Sequence, residues 1–360
     1  MEEMNIALRP PIAVKPDKEE RRQIRKKYNL TALVMIINIV AINVIGNVII
    51  IAACMALGGG FSFEAYQTGR EALAESSVLY TILSFVPIIL SEAAAIIIGA
   101  KLLKINMKKL TSNREGYSGG TVAKLITLCY GIQLPAMAIV LIIQAMIGDL
   151  DMGDATASLT PSSSFASNLL MISYVCVIGP VLEEMLYRGI LLQSMRKYSE
   201  RFAIILSAVI FGLMHQNYQQ CIPAIIMGIP LAIIAIKYNS IVPTIFAHIF
   251  LNTMNMFQMY LLQYLSPGLY DTALSGNMEA SALELSSSAM AGALAILLVR
   301  LIFMIAALAV GIVALVKGGN TKIPTPAGKS RAMPVFRTAA LWWIVFAAYI
   351  FLTFVLPFIR

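Results

Sequence analysis

The feature that most limits what this chain can fold into is a series of nine apolar runs. They cover residues 30–57, 78–100, 120–147, 166–195, 202–217, 221–237, 241–263, 289–316 and 338–358. A helix of roughly 20 apolar residues spans the ~30 Å hydrocarbon core of a bilayer. Inside hydrocarbon every backbone N–H and C=O must be paired within the segment, so a helix is the natural form for each run. Only 13% of the residues are charged and the mean hydropathy is +0.79, against about 25% charged in soluble domains. The chain is therefore expected to be an all-α, polytopic transmembrane helix bundle of about eight or nine spans. The runs at 202–217 and 221–237 are the shortest, joined by the polar "QNYQQ".

Charge placement sets the expected orientation. With the N-terminus in the cytoplasm and nine alternating crossings, all but five of the 27 Lys and Arg residues fall in inner segments. The exceptions are Arg70 and Arg360 outside, and Lys124, Arg188 and Arg300 within spans. An excess of Lys and Arg marks the cytoplasmic side. The net charge of +8 then reflects topology and contact with anionic lipid headgroups. Nucleic-acid binding is not expected, because the basic residues are divided among separate loops. The expected location is a multi-pass position in a bacterial plasma membrane.

Four regions follow: a basic cytoplasmic tail (1–29), three N-terminal transmembrane helices (30–165), a polar-site core (166–263), and an outer loop with two C-terminal helices and a basic inner linker (264–360). "ALGGGFS", "GDLDMGDATASLTPSSS" and "SPGLYDTALSGNMEASALELSSS" read as outer loops. Cys54, Cys129, Cys176 and Cys221 fall in four different spans with no C-x-x-C pair, and read as small buried apolar residues.

Chemistry concentrates in the core. Between Ala155 and Met195 the only charges are Glu183, Glu184 and Arg188. Each charge near mid-bilayer costs roughly 2.5–3.5 kcal/mol on insertion scales, so such groups need partners or a wet cavity. Glu184 and Arg188 stand at i and i+4, acid first, on one helical face. Glu183 is rotated by about 100° and points elsewhere. Pro180 lacks a backbone N–H and should loosen the helix beside Glu183. The only two histidines, His215 and His248, both lie in apolar runs, and Asn252 follows His248 by one turn. Glu183, His215, His248 and Asn252 are expected to converge from three helices at one depth. Such a set suits water activation, with Glu183 as general base. The imidazoles would bind either a metal or a developing oxyanion. Asn252 is a poor zinc ligand and suits oxyanion donation. Phe211, one turn before His215, reads as packing. Arg300 and Glu92, at similar depths in other spans, are expected to pair.

"EEMLYR" (Glu183, Glu184, Arg188), "FGLMH" (Phe211, His215) and "HIFLN" (His248, Asn252) resemble, in order and spacing, the three motifs of the CPBP family. That family comprises the CAAX prenyl endopeptidase, ABI and bacteriocin-processing intramembrane proteases. The resemblance spans about 100 residues, 166–263. It implies peptide-bond hydrolysis inside the membrane, near the terminus of a peptide or protein substrate. By that resemblance Glu183 activates water and Glu184 is the structural partner of Arg188. His215, His248 and Asn252 become metal or oxyanion groups. A divalent metal, zinc above all, is the implied cofactor, with a metal-free glutamate mechanism as the other form. "GYSG" (Gly116 to Gly119) resembles a rhomboid G-x-S-G but lies in a basic loop. No H-E-x-x-H, P-loop or G-x-G-x-x-G occurs. The competing reading is a non-catalytic transporter or peptide-immunity protein that uses the same polar cluster for ligand or proton binding. The absence of internal repeats weighs against a transporter.

Overall fold

The structure, a computed structural model, describes residues 17–147, 162–265, 287–317 and 336–355. Most of the basic tail, much of the acidic outer loop, the outer loop after residue 265 and the inner linker before residue 336 lie outside the described residues. The described chain is helical, with no strand.

All nine apolar runs are helices. They are α1 (Lys18–Leu57), α3 (Ser77–Leu103), α5 (Gly119–Ile147), α6 (Phe165–Arg196), α7 (Glu200–Leu213), α8 (Tyr218–Lys237), α9 (Val242–Leu265), α10 (Ser287–Lys317) and α11 (Ala340–Val355). Six of these, α1, α3, α5, α6, α8 and α10, are long and apolar enough to cross a membrane on length and composition. The protein is a multi-pass integral membrane protein with an all-α bundle fold. Two short helices, α2 (Phe63–Glu75) and α4 (Met107–Ser112), occupy the connections.

α2 corrects the reading of 58–77 as loop. Ser62 caps it, its hydroxyl accepting from the Ala65 N–H at 3.0 Å, and Glu64 sits in its positive first turn. It packs backbone to backbone on the end of α1. A Cβ at Gly69 would stand 1.7 Å from the Cys54 carbonyl oxygen, so only glycine permits that approach. α5 and α10 meet in the same way, since a Cβ at Gly131 would fall 2.4 Å from the Leu308 nitrogen. Close contact of small residues is the usual basis of helix association in lipid. The outer side of α10 is apolar throughout, with Leu298, Ile302, Phe303 and Val310 exposed, as expected where the solvent is hydrocarbon.

The main core gathers α1, α3, α6, α7, α8 and α11 around Tyr28, Met35, Leu186, Ile190, Phe211 and Trp342. Ends expected in the cytoplasm share one face. Lys27 donates to the Leu103 carbonyl at 2.6 Å, Arg196 to Asn239 at 3.0 Å and Asn113 to the Tyr238 carbonyl at 2.9 Å.

α7 and α8 form an antiparallel hairpin. α7 has 14 residues, about 21 Å, which is less than a full crossing. Its tip therefore ends inside the bundle. Gln216 adopts left-handed backbone (φ 55°), and Asn217 caps α8 by accepting from the Gln220 N–H at 2.8 Å. "QNYQQ", the polar link between the two shortest runs, sends Gln216, Asn217, Gln219 and Gln220 into the wall of a cavity.

Candidate active site

α6 carries the carboxylates and is not a regular helix. Two stretches, Tyr174–Ile178 and Glu184–Leu191, are wound in the wider i→i+5 register. The first has a legible cause. The Gly179 N–H bonds the Tyr174 carbonyl five residues back. In that register the Val175 carbonyl would need the nitrogen of Pro180, which carries no hydrogen. Asn252 supplies the missing donor from α9, its Nδ2 lying 2.9 Å from the Val175 oxygen. The expected loosening at Pro180 is thus present, and Asn252 closes it.

Glu183 and Glu184 both face one imidazole. Glu184 Oε1 lies 2.9 Å from Arg188 Nη1, with both side chains fully buried. The same oxygen lies 3.1 Å from His248 Nδ1. His248 Nε2 faces Glu183 Oε2 at 3.5 Å. One histidine therefore bridges both carboxylates, which the sequence reading had placed on separate faces. Glu183 Oε2 has no hydrogen-bond partner, and 3.5 Å is the outer edge of hydrogen bonding. Glu183 is held beside the ring and still has acceptor capacity for a water.

Phe211 does more than fill space. The Arg188 guanidinium lies over its ring, 4.1 Å from the centroid, in cation–π geometry. His215 and His248 both meet the ring edge to face, with centroids at 5.4 and 5.6 Å. Phe211 thus sets the spacing of the two imidazoles and covers the cation. Gly228 makes room for the arginine, since a Cβ there would lie 3.3 Å from Arg188 Nη2 and 3.0 Å from Ala208. His215 sits in the hairpin tip beyond α7 and not within the span. Its Nδ1 lies 3.1 Å from the Phe211 carbonyl oxygen, which fixes Nδ1 as the protonated nitrogen and leaves Nε2 for the cavity.

Glu183, Phe211, His215, His248 and Asn252 all line one cavity of about 870 Å³. Glu184 and Arg188 lie behind it. The convergence expected from α6, the α7 tip and α9 is therefore present. Two intramembrane charges stand differently. Arg300 does not pair with Glu92: it bonds Asn255 and Gln133, and it lines the cavity. Glu92 is fully buried with neither carboxyl oxygen bonded. Equal depth predicted their meeting, but α10 packs on α5 and α9 whereas α3 packs on α1 and α6.

The donor set does not form a closed zinc site. Among the described residues no three His, Cys, Asp or Glu side chains gather as metal ligands. Both His248 nitrogens face carboxylates, and the Asn252 amide is engaged by the Val175 carbonyl.

Fold and site together define a multi-pass helical membrane protein with a carboxylate–imidazole centre buried inside its bundle. Residues 165–254 match the family model for Rce1-like type II CAAX prenyl endopeptidases. That segment carries all three motifs, and the match agrees with the resemblance to the CPBP family. The chain is also 34% identical over 85 residues to a Bacillus subtilis (strain 168) protein named "Putative membrane peptidase YdiL", covering 23% of this chain and 35% of that one. The chain thus spans about a third of the length of the curated relative it matches. No solved structure matches it.

Proposed function

We propose that this protein is an intramembrane endopeptidase that hydrolyses peptide bonds with a water activated by Glu183. The observation that carries this reading is Glu183, with a free carboxylate oxygen, facing His248 at the wall of a cavity large enough for a peptide segment. Pockets of ~300–1,000 Å³ are typical of ligand sites. The substrate is a peptide or protein segment that enters the cavity from within or beside the bilayer.

In the proposed reaction Glu183 takes a proton from water as the oxygen attacks the scissile carbonyl. His248 stands beside Glu183 and receives or returns that proton. Glu184 orients the imidazole through Nδ1, and Arg188 is paired with Glu184 on its other side. The outward Nε2 of His215 and the second N–H of the Asn252 amide are the groups available to the carbonyl oxygen as it becomes negative. Protonation of the amide nitrogen then releases the two chain ends. The pairing of His248 with two carboxylates suits a proton-transfer role better than metal ligation, so no step here runs through a metal.

The test is hydrolysis of internally quenched peptides by purified protein in lipid nanodiscs. Glu183→Gln should lower kcat by about 10²–10⁴, the range for loss of a general base. His215→Ala should lower kcat with little change in KM. Activity that persists after exhaustive chelation supports the glutamate route, and activity restored only by zinc overturns it. Folded Glu183→Gln protein that cuts as fast as wild type defeats the assignment.

A further inference from the structure

Among the described residues Arg300 is the one guanidinium that lines the cavity, and it stands on α10, outside the matched segment 165–254. It is the 14th of 31 residues in that helix, and so near mid-membrane. A cation there is costly unless it is paired or wet. Its contacts are all to uncharged acceptors. Nη2 reaches Asn255 Oδ1 at 3.1 Å, Gln133 Oε1 at 3.4 Å and Met137 Sδ at 3.8 Å. Nε is buried with no partner. Among the described residues no carboxylate lies within ion-pair distance of it, and the only carboxylate lining the cavity is Glu183.

Position along α9 relates this cation to the reacting groups. Asn255, which Arg300 holds, follows Asn252 by three residues. One turn of helix, about 5 Å, separates them. The guanidinium thus stands within a few residues of extended chain from the amide that faces the scissile carbonyl, at about 3.3–3.6 Å per residue.

We propose that Arg300 is a specificity-determining residue that receives the free α-carboxylate of a substrate's chain end. This rests on the peptidase reading and names which peptides the site takes. With Nη2 engaged and Nε buried, Nη1 is the nitrogen left to donate to a carboxylate oxygen in a charge-assisted hydrogen bond. A carboxylate brings one charge to one uncompensated cation, and so neutralises the cavity wall. A lipid phosphate is held at the interface, about 15 Å from the bilayer centre. The acceptors already present, two amides and a thioether, fix the guanidinium without cancelling its charge.

Binding tests this separately from catalysis. N-terminally fluorescein-labelled apolar octapeptides are titrated into Glu183→Gln protein in nanodiscs and read by anisotropy. The free-acid peptide should bind at least tenfold tighter than its C-terminal amide, the value expected for a hydrogen bond to a charged group. Arg300→Gln in that background should bring the ratio to about one with affinity for the amide unchanged. Arg300→Lys, which keeps the charge and loses the fork, should retain part of the preference and serves where Arg300→Gln does not fold. An amidated peptide ending in Asp should bind weakly. If it binds as tightly as the free acid, side-chain carboxylates are read and the chain-end assignment falls. Equal binding of acid and amide, no binding of either, or a preference that survives Arg300→Gln overturns the proposal. Protein that prefers the acid yet never cuts, with Glu183 intact, refutes the peptidase and leaves the carboxylate site standing. Protein that cuts acid and amide equally does the reverse.

Discussion

The bond from Asn252 to the Val175 carbonyl should be energetically coupled to Pro180, although Asn252 and Pro180 lie on different helices. Asn252→Ala removes the one side-chain donor to that oxygen, and the proline nitrogen next in register cannot replace it. An unpaired buried carbonyl costs about 1–3 kcal/mol, and hydrogen bonds between membrane helices average ~0.6 kcal/mol with a maximum near 1.7. The site is only partly buried, so the loss should be about 1 kcal/mol. Pro180→Ala restores a backbone N–H opposite the orphaned oxygen. In that background Asn252→Ala should cost less than half as much. The assay is a double-mutant cycle on reversible unfolding in mixed micelles, followed by circular dichroism. Distant pairs add within about 0.3–0.5 kcal/mol. Additivity within that margin would refute the account of the widened turn and leave Asn252 as a group of the reaction alone.

Arg188→Met should destabilise by about 3–5 kcal/mol, because Glu184 is left charged in a dry interior; the double variant Glu184→Gln, Arg188→Met should recover most of that in the same unfolding assay. Gly228→Ala should cost about 1–3 kcal/mol through overpacking against Ala208 and Arg188, and should lower peptide cleavage in proportion to the loss of the Glu184–His248 geometry. Glu92→Leu should raise stability by about 1 kcal/mol or more, since it removes a buried carboxyl with no bonded oxygen; a lower melting temperature would show that an unseen partner holds it.

The chain itself carried the positions of the nine apolar helices and the expectation that the motif residues share one level. Apolar length and the cost of burying charge act along the membrane normal, one residue after another. Hence "EEMLYR", "FGLMH" and "HIFLN" could be set at one level, and His215 and His248 beside Glu183, before any coordinates. The capping Ser62 and the first-turn Glu64 were also present as signals for α2, though the triple glycine before them reads more strongly as loop.

Tertiary structure decided azimuth, which depth does not encode. Arg300 and Glu92 share a level yet belong to helices that pack on different neighbours. His248 meets both carboxylates because α9 packs against α6 and sets one imidazole between them, one ring nitrogen to each. The Val175 carbonyl likewise finds its donor on another helix, in Asn252. Local sequence sets which groups lie buried in lipid; only the packing of whole helices around one another determines which of them touch.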